Sequence, residues 1–361
     1  MTFPFKQIFI PGGAGFVGSN LALSFKRDFP NLEVKVLDNL KRRGSEINLK
    51  RLQESGVHFF HGDIRCPEDI DAVGAFDLLI DCSAEPSVHA GLTGSPLPVV
   101  HTNLTGTVNL MESARQKNAA IIFLSTSRVY PIDAINQLPF TEVENRFELA
   151  PTKVHGASVA GISEEFPLAG ARSLYGTSKL ASELLLQEYA FSYDLKVMVN
   201  RCGLLTGPWQ MGKVDQGVIA LFMARHFFGL PLKYIGYGGT GKQVRDMLHV
   251  DDLYDLLLIQ AKNLELWNAT PYNVGGGREV SLSLKELTAL CQKVTGKQVA
   301  VERVPETSAV DIRIYLTDTA RVEKEFSWVP KRSAEIIVED IHDWLKTNKV
   351  LLELIFTGKT G

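Results

Sequence analysis

The stretch Gln7-Ile8-Phe9-Ile10-Pro11-Gly12-Gly13-Ala14-Gly15-Phe16-Val17-Gly18-Ser19-Asn20 decides how the rest of the chain is read. An apolar run meets a glycine-rich turn and then an amphipathic stretch, which is the order strand, turn, helix. Gly13, Gly15 and Gly18 satisfy G-x-G-x-x-G, while Gly12, Gly15 and Gly18 satisfy the wider G-x-x-G-x-x-G. One glycine permits the tight turn, one lets the backbone approach a pyrophosphate, and the last lets the helix pack close to the strand. The free N–H groups at the helix start, around Phe16 and Val17, then face the phosphates. A glycine triplet alone would equally suit a plain turn, so the flanking sequence carries the argument.

A second strand, Glu33 to Leu37, ends in Asp38, at the distance where a carboxylate accepts hydrogen bonds from both ribose hydroxyls of an adenine dinucleotide. An acid there repels a 2′-phosphate and favours NAD over NADP. Next to it, Asn39 and Arg42 count among the cofactor residues; Arg42 and Arg43 either hold an extra phosphate or lie in a solvated loop. A helical stretch over 45–54 and a strand over 57–60 lead to Asp63 and Ile64. Asp63 suits the adenine amino group, and it suits equally the cap of a helix starting near Pro67. A fourth strand, 76–81, opens into Cys82-Ser83-Ala84-Glu85-Pro86-Ser87, where the small Ser83 and Ala84 let a cofactor lie across the sheet edge. A helix from about Pro96 to Gln116 carries Asn103, which would steady the active-site loop if it faced inward.

The fifth strand, Ala119 to Leu124, ends in Ser125-Thr126-Ser127-Arg128-Val129-Tyr130, and ligands of open parallel sheets bind at the carboxyl ends of strands. The polar stretch 131–170 has no clear periodicity and reads as a functional loop or lid. It ends where Tyr175 and Lys179, four residues apart, project from one face of a helix that runs to about Tyr193. A lysine ammonium near a phenol favours the phenolate. To serve as a base near neutrality the phenol, ordinarily near pKa 10, must fall by about three, roughly 4 kcal/mol of electrostatics.

The chain has 361 residues, is 45% apolar and carries a net charge of −3. That length exceeds what one core usually supports, so two lobes are expected: a dinucleotide-binding domain over 1–200, with segments near 244–270 returning to it, and a mainly substrate-binding lobe over 201–361. The charge supplies no basic field for nucleic acid or anionic membrane. The N-terminus lacks a signal-peptide pattern and no apolar run approaches the twenty or so residues that span a bilayer, so a cytoplasmic protein is expected. Cys66, Cys82, Cys202 and Cys291 are widely spaced, without metal-ligand spacing, and read as reduced core or near-core thiols.

Beyond a sixth strand over 195–199 the pattern loosens. Gly236 to Asp246 reads as a glycine-rich turn feeding a strand that ends near His249, and Arg245 there either binds phosphate or pairs with Asp246 or a surface carboxylate. Helical spacing recurs over Ser281–Thr295 and Ser333–Asn348. The tail 350–356 is helix packing or a partner contact.

Taken in order, the glycine turn, Asp38, Asp63, the Ser125-Thr126 strand end and Tyr175/Lys179 resemble the extended short-chain dehydrogenase/reductase family over nearly the whole chain. The resemblance implies an α/β, Rossmann-type doubly wound parallel sheet with a smaller C-terminal substrate lobe. It implies a catalytic triad of Thr126, Tyr175 and Lys179 and tightly held NAD, with Asn103 and Ser125 at further family positions. Dehydratases of this family follow the threonine with an Asp-Glu pair, where this chain has Ser127-Arg128. Within the family, the blocks Asp38–Ser45, Trp209–Gly217 and Gly241–Asp246 resemble the 2-epimerases of CDP-paratose/CDP-tyvelose type. That likeness implies a CDP-linked deoxyhexose substrate, a place in cell-surface polysaccharide synthesis and a homodimer or higher homo-oligomer. Pro86, Ser127, Arg128, Gln210, Lys213, Gln216, Arg245 and Arg313 are the substrate residues it suggests. Leu204 and Ser308 depart from the family, which often has Asn and Arg there, and leave Arg245 and Arg313 as the expected partners of the diphosphate. A 4-epimerase of a UDP- or other nucleotide-linked hexose is the alternative, and a non-catalytic NAD-binding regulator is the alternative of another class.

Overall fold

The computed structural model describes residues 3–212 and 217–357. Its main sheet has seven parallel strands: β1 Gln7–Pro11, β2 Glu33–Asp38, β3 His58–His61, β4 Leu78–Asp81, β5 Ala120–Thr126, β6 Val197–Cys202 and β7 Asn268–Val274. They lie in the order β7-β6-β5-β4-β1-β2-β3. The chain winds outward in one direction from β1 to β3 and in the other from β4 to β7. The crevice at the carboxyl ends of β1 and β4 is therefore the switch point where such sheets bind ligands. This is the doubly wound Rossmann arrangement expected.

The strand pattern builds this sheet through its period of two. Ile8, Ile10, Val34, Val36, Leu78 and Ile80 point to one face, and Phe9, Leu37, Leu79, Ile121, Phe123 and Val197 to the other. Both faces are covered, which is why these strands read as nearly continuous apolar runs. Helix α1, Phe16–Asp28, covers the first face with the helix Val250–Gln260, where the rings of Phe25 and Tyr254 meet edge-on at 5.0 Å. The helices Gly106–Lys117 and Leu174–Tyr193 cover the second through Leu110, Met111 and Leu186.

The segments near 244–270 divide between two sheets. Val244–His249 lies in a smaller sheet, parallel to Leu204–Thr206 and Ile314–Tyr315 and antiparallel to Ser281–Ser283. The helix Val250–Gln260 and β7 go back to the main sheet. The helices Val218–Phe228, Leu284–Thr295 and Ala334–Thr347 pack around the smaller sheet through Met223, Leu287 and Ile341. The helical spacing read from Ser281 begins three residues late: 281–283 are strand, and Ser283 then caps the helix in a reciprocal box with Glu286. The tail forms the helix Lys349–Thr357, with Leu352 buried in the same core.

The stretch 131–170 is not a structureless lid. It holds a short helix, Ile132–Asn136, and two small hairpins, and its Phe147, Leu149, Ile162 and Phe166 share a core with Tyr130, Ile314 and Tyr315. Ion pairs Lys242–Glu142 at 2.8 Å and Arg278–Glu148 at 2.7 Å pin it to the smaller lobe. Its partners are distant in sequence, so no local periodicity announces it. Among the described residues no helix is long and apolar enough to cross a membrane.

Candidate active site

The glycine turn forms one wall of a cleft of about 340 Å³ at the switch point. Gly12 adopts φ +74°, and a Cβ there would stand 2.7 Å from the Cys82 carbonyl oxygen, so the ends of β1 and β4 meet only because the side chain is absent. Gly15 has nothing within 4 Å of an added Cβ except the Gly12 oxygen at 3.1 Å, leaving bare backbone toward the cleft, next to Phe16 and Val17. A Cβ on Gly18 would collide with the Gly12 carbonyl, which sets how closely α1 approaches the turn. Ser83, against Gly12, and Ala84 line the same cleft. This cradle, with the carboxylate of Asp38 at the end of β2, fits a dinucleotide.

Thr126, Tyr175 and Lys179 line the same cleft. The Thr126 side chain stands beside the Tyr175 phenol. Burial pushes this phenol up, against the pull of Thr126 and of the Arg128 charge. The helix face brings Lys179 into the cleft, but its ammonium lies 4.3 Å from the Phe123 ring centre. Burial pushes Lys179 down, and Asp81 is the foremost charge opposing that shift. Spacing along a helix fixes the shared face, whereas these partners fix which charge each group feels. Of the two cations, Arg128 is the one that opposes the rise of the Tyr175 phenol.

Several expected residues take other places. The Asn103 amide is committed to the backbone of Glu85, accepting from its N–H at 2.7 Å and donating to its carbonyl at 3.0 Å, and it also donates to Ser178 at 3.2 Å. It sits in a π-helical turn, His101–Thr105, and steadies the cleft loop from behind rather than facing a cofactor. Asp63 is not the helix cap, a place that Cys66 takes. Its carboxylate binds Arg65 at 2.6 Å and accepts from Asn39 at 2.8 Å, and these bonds hold it well below the usual range. Asp38 accepts from Ala14 N–H at 3.1 Å and Leu40 N–H at 2.9 Å, and its burial raises it. Ile64 packs in the core against Gly106. Arg42 donates to the Met211 carbonyl at 3.1 Å and lines the cleft.

Of the expected substrate residues, Pro86, Ser127, Arg128, Gln210 and Arg245 line the cleft. Gln210 bonds to Thr206 at 3.0 Å and Leu205 at 2.9 Å within its own loop. Lys213 and Gln216 lie outside the described residues. Arg313 is not brought in: its guanidinium stands 4.1 Å from the Phe140 ring centre and donates to the Asn136 carbonyl at 3.2 Å, held by the 131–170 insertion.

Behind the cleft lies a network that motif reading passed over. Ser125 lines the cleft and donates a 2.5 Å hydrogen bond to Glu183, which pairs with Arg201 at 2.7 Å; Arg201 in turn donates to Tyr130 at 3.1 Å. Glu183 follows Lys179 by four residues, so the face of Tyr175 and Lys179 already pointed to it. Cys82 and Cys202 also line the cleft as free thiols, and burial pushes Cys202 up to about 12.

The chain matches the profile of the NAD dependent epimerase/dehydratase family over residues 8–275 and belongs to that family; its cofactor is NAD. It is 31% identical to a CDP-paratose 2-epimerase of Salmonella typhi over 94% of this chain and 98% of that one. It is 28% identical to a UDP-glucose 4-epimerase of Erwinia amylovora, covering 95% and 98%. The structure of UDP-glucose 4-epimerase from Thermus thermophilus in complex with NAD superposes with a TM-score of 0.74 at 26% identity, covering 94% and 99%.

Proposed function

We propose that the protein is an epimerase inverting C2 of a CDP-linked deoxyhexose through a transient keto-sugar. The observation that carries this reading is the convergence of Thr126, Tyr175 and Lys179 on the cleft walled by the glycine turn, at a strand end that continues in Ser127-Arg128. Neither of those two residues can supply the acid and base of an elimination, which favours epimerisation over dehydration. The CDP-paratose 2-epimerase relative and the blocks around Trp209 and Gly241 support the choice of carbon and nucleotide.

NAD, when bound, supplies a hydride acceptor that can return what it takes. Gly12, Gly15, Phe16, Val17, Ser83 and Ala84 would hold it, with Asp38 at the ribose. Tyr175 takes the proton of the substrate hydroxyl and later returns it; Thr126 orients that hydroxyl; Lys179 would hold the cofactor ribose. Inversion then requires the keto-sugar to present its other face to the cleft. The reading carries with it a cytoplasmic location and a homo-oligomer, for which the exposed Leu184, Phe191 and Tyr193 offer apolar surface.

The test is incubation of the purified protein, without added NAD, with CDP-paratose, CDP-glucose and UDP-glucose in deuterated water, followed by NMR. Inversion at C2 of a CDP-sugar without solvent deuterium is expected. Inversion at C4 of UDP-glucose would replace this reading with the 4-epimerase that the Erwinia relative suggests.

A further inference from the structure

The catalytic cleft opens into a second cavity of about 470 Å³ inside the smaller lobe. Leu221, Phe222, Leu232 and Leu287 make the second cavity apolar. Val88, Leu204, Arg128 and Arg245 belong to the walls of both, so two guanidinium groups stand at the neck between them.

These two cations are held differently. Arg245 is fixed by Asp311 at 2.9 Å and donates to the carbonyls of Val244 at 2.8 Å and Ile312 at 2.5 Å. Arg128 comes from the short turn after β5 and donates to the Val310 carbonyl at 3.3 Å, next to the residues that hold Arg245. Among the described residues it forms no ion pair. Burial, and after it the neighbouring Arg245, push it down to about 10, while Asp311 and Tyr175 oppose that shift. Two arginines against one aspartate leave the neck with a net positive charge. Two half-buried cations that share one carboxylate, Asp311, repel each other, and an anion placed between the two guanidinium groups lowers that cost. Ser308 lies on the wall of the same cavity.

We propose that Arg128 closes a two-arginine clamp with Arg245 on the diphosphate of the substrate at the neck between the two cavities. The sugar then lies in the catalytic cleft and the nucleoside in the apolar cavity. This rests on the nucleotide-sugar reading above and adds which residue binds the diphosphate.

Calorimetric titration of the NAD-loaded protein with CDP and UDP, and with cytidine and uridine, tests it without turnover. Whichever diphosphate the wild type binds should bind Arg128→Gln roughly 10- to 100-fold more weakly, the nucleoside equally well, and bound NAD should be unchanged. Arg128→Lys should recover part of the loss, since it keeps the charge but not the fork. Unchanged diphosphate affinity in Arg128→Gln, or equal loss for diphosphate and nucleoside, would overturn the clamp while leaving the nucleotide-sugar reading standing. If Arg128→Gln does not fold, Arg128→Lys decides by the same comparison. A wild type that binds neither diphosphate would sink both.

Discussion

Ser125 and Glu183 are joined by a 2.5 Å hydrogen bond between the end of β5 and the helix that carries Tyr175 and Lys179. Glu183 is fully enclosed and its second oxygen pairs with Arg201 at 2.7 Å. The catalytic strand and the catalytic helix are thus fastened together directly beneath the cleft. Replacing Glu183 by Ala leaves the Arg201 guanidinium buried without a counter-ion, a change that costs about 3–5 kcal/mol. Urea denaturation is the measurement, and a loss below 1 kcal/mol would show that the pair is dispensable.

Tyr175→Phe should lower turnover by at least about 100-fold, because general-base catalysis contributes on that scale, while bound NAD stays at the wild-type level. Burial raises the Tyr175 phenol and the Arg128 charge opposes this. Activity of the wild type should therefore rise with pH as the phenol ionises, and Arg128→Gln should move that rise to higher pH. The pH profile of kcat/KM checks both the sign and the displacement.

Asp246, also on the cleft wall, accepts from Gly276 N–H at 2.9 Å and Gly277 N–H at 3.2 Å, yet burial raises it to about 6. Because its folded pKa lies above the unfolded value of about 3.9, its contribution to stability is complete below pH 4 and is lost as pH rises to about 6. The loss amounts to about 3 kcal/mol. Asp246→Asn should remove this dependence, so its stability relative to wild type improves between pH 4 and pH 7. Paired denaturation curves at those two values measure it; a constant difference would refute it.

Asn103→Ala withdraws both partners of the Glu85 backbone and one of Ser178. Unsatisfied buried groups of this kind cost about 1–3 kcal/mol. The loosened Cys82–Ser87 loop should also release NAD more readily, which fluorescence of displaced cofactor can follow; unchanged stability and retention would contradict the role given to Asn103.

What the sequence by itself determined is local. The glycine turn, the carboxylate ending β2, the alternation of buried strands and the four-residue spacing of Tyr175 and Lys179 are each written within a few consecutive residues. They are legible because backbone sterics and side-chain periodicity act over that range. Distant packing decided the rest. Arg313 left the cleft because Phe140 and Asn136, from an insertion without periodicity, reached it first. Asn103 turned to Glu85, Asp63 to Asn39, and Val244–His249 to the smaller sheet, each through a partner that spacing does not reveal. The charge acting on Tyr175 followed the same rule: Arg128, brought beside its helix from the end of β5, acts on it, while Lys179, one helical turn away, lies against Phe123 and feels Asp81. Electrostatic effects depend on distance and burial in three dimensions, and those are set only once the lobes close on each other.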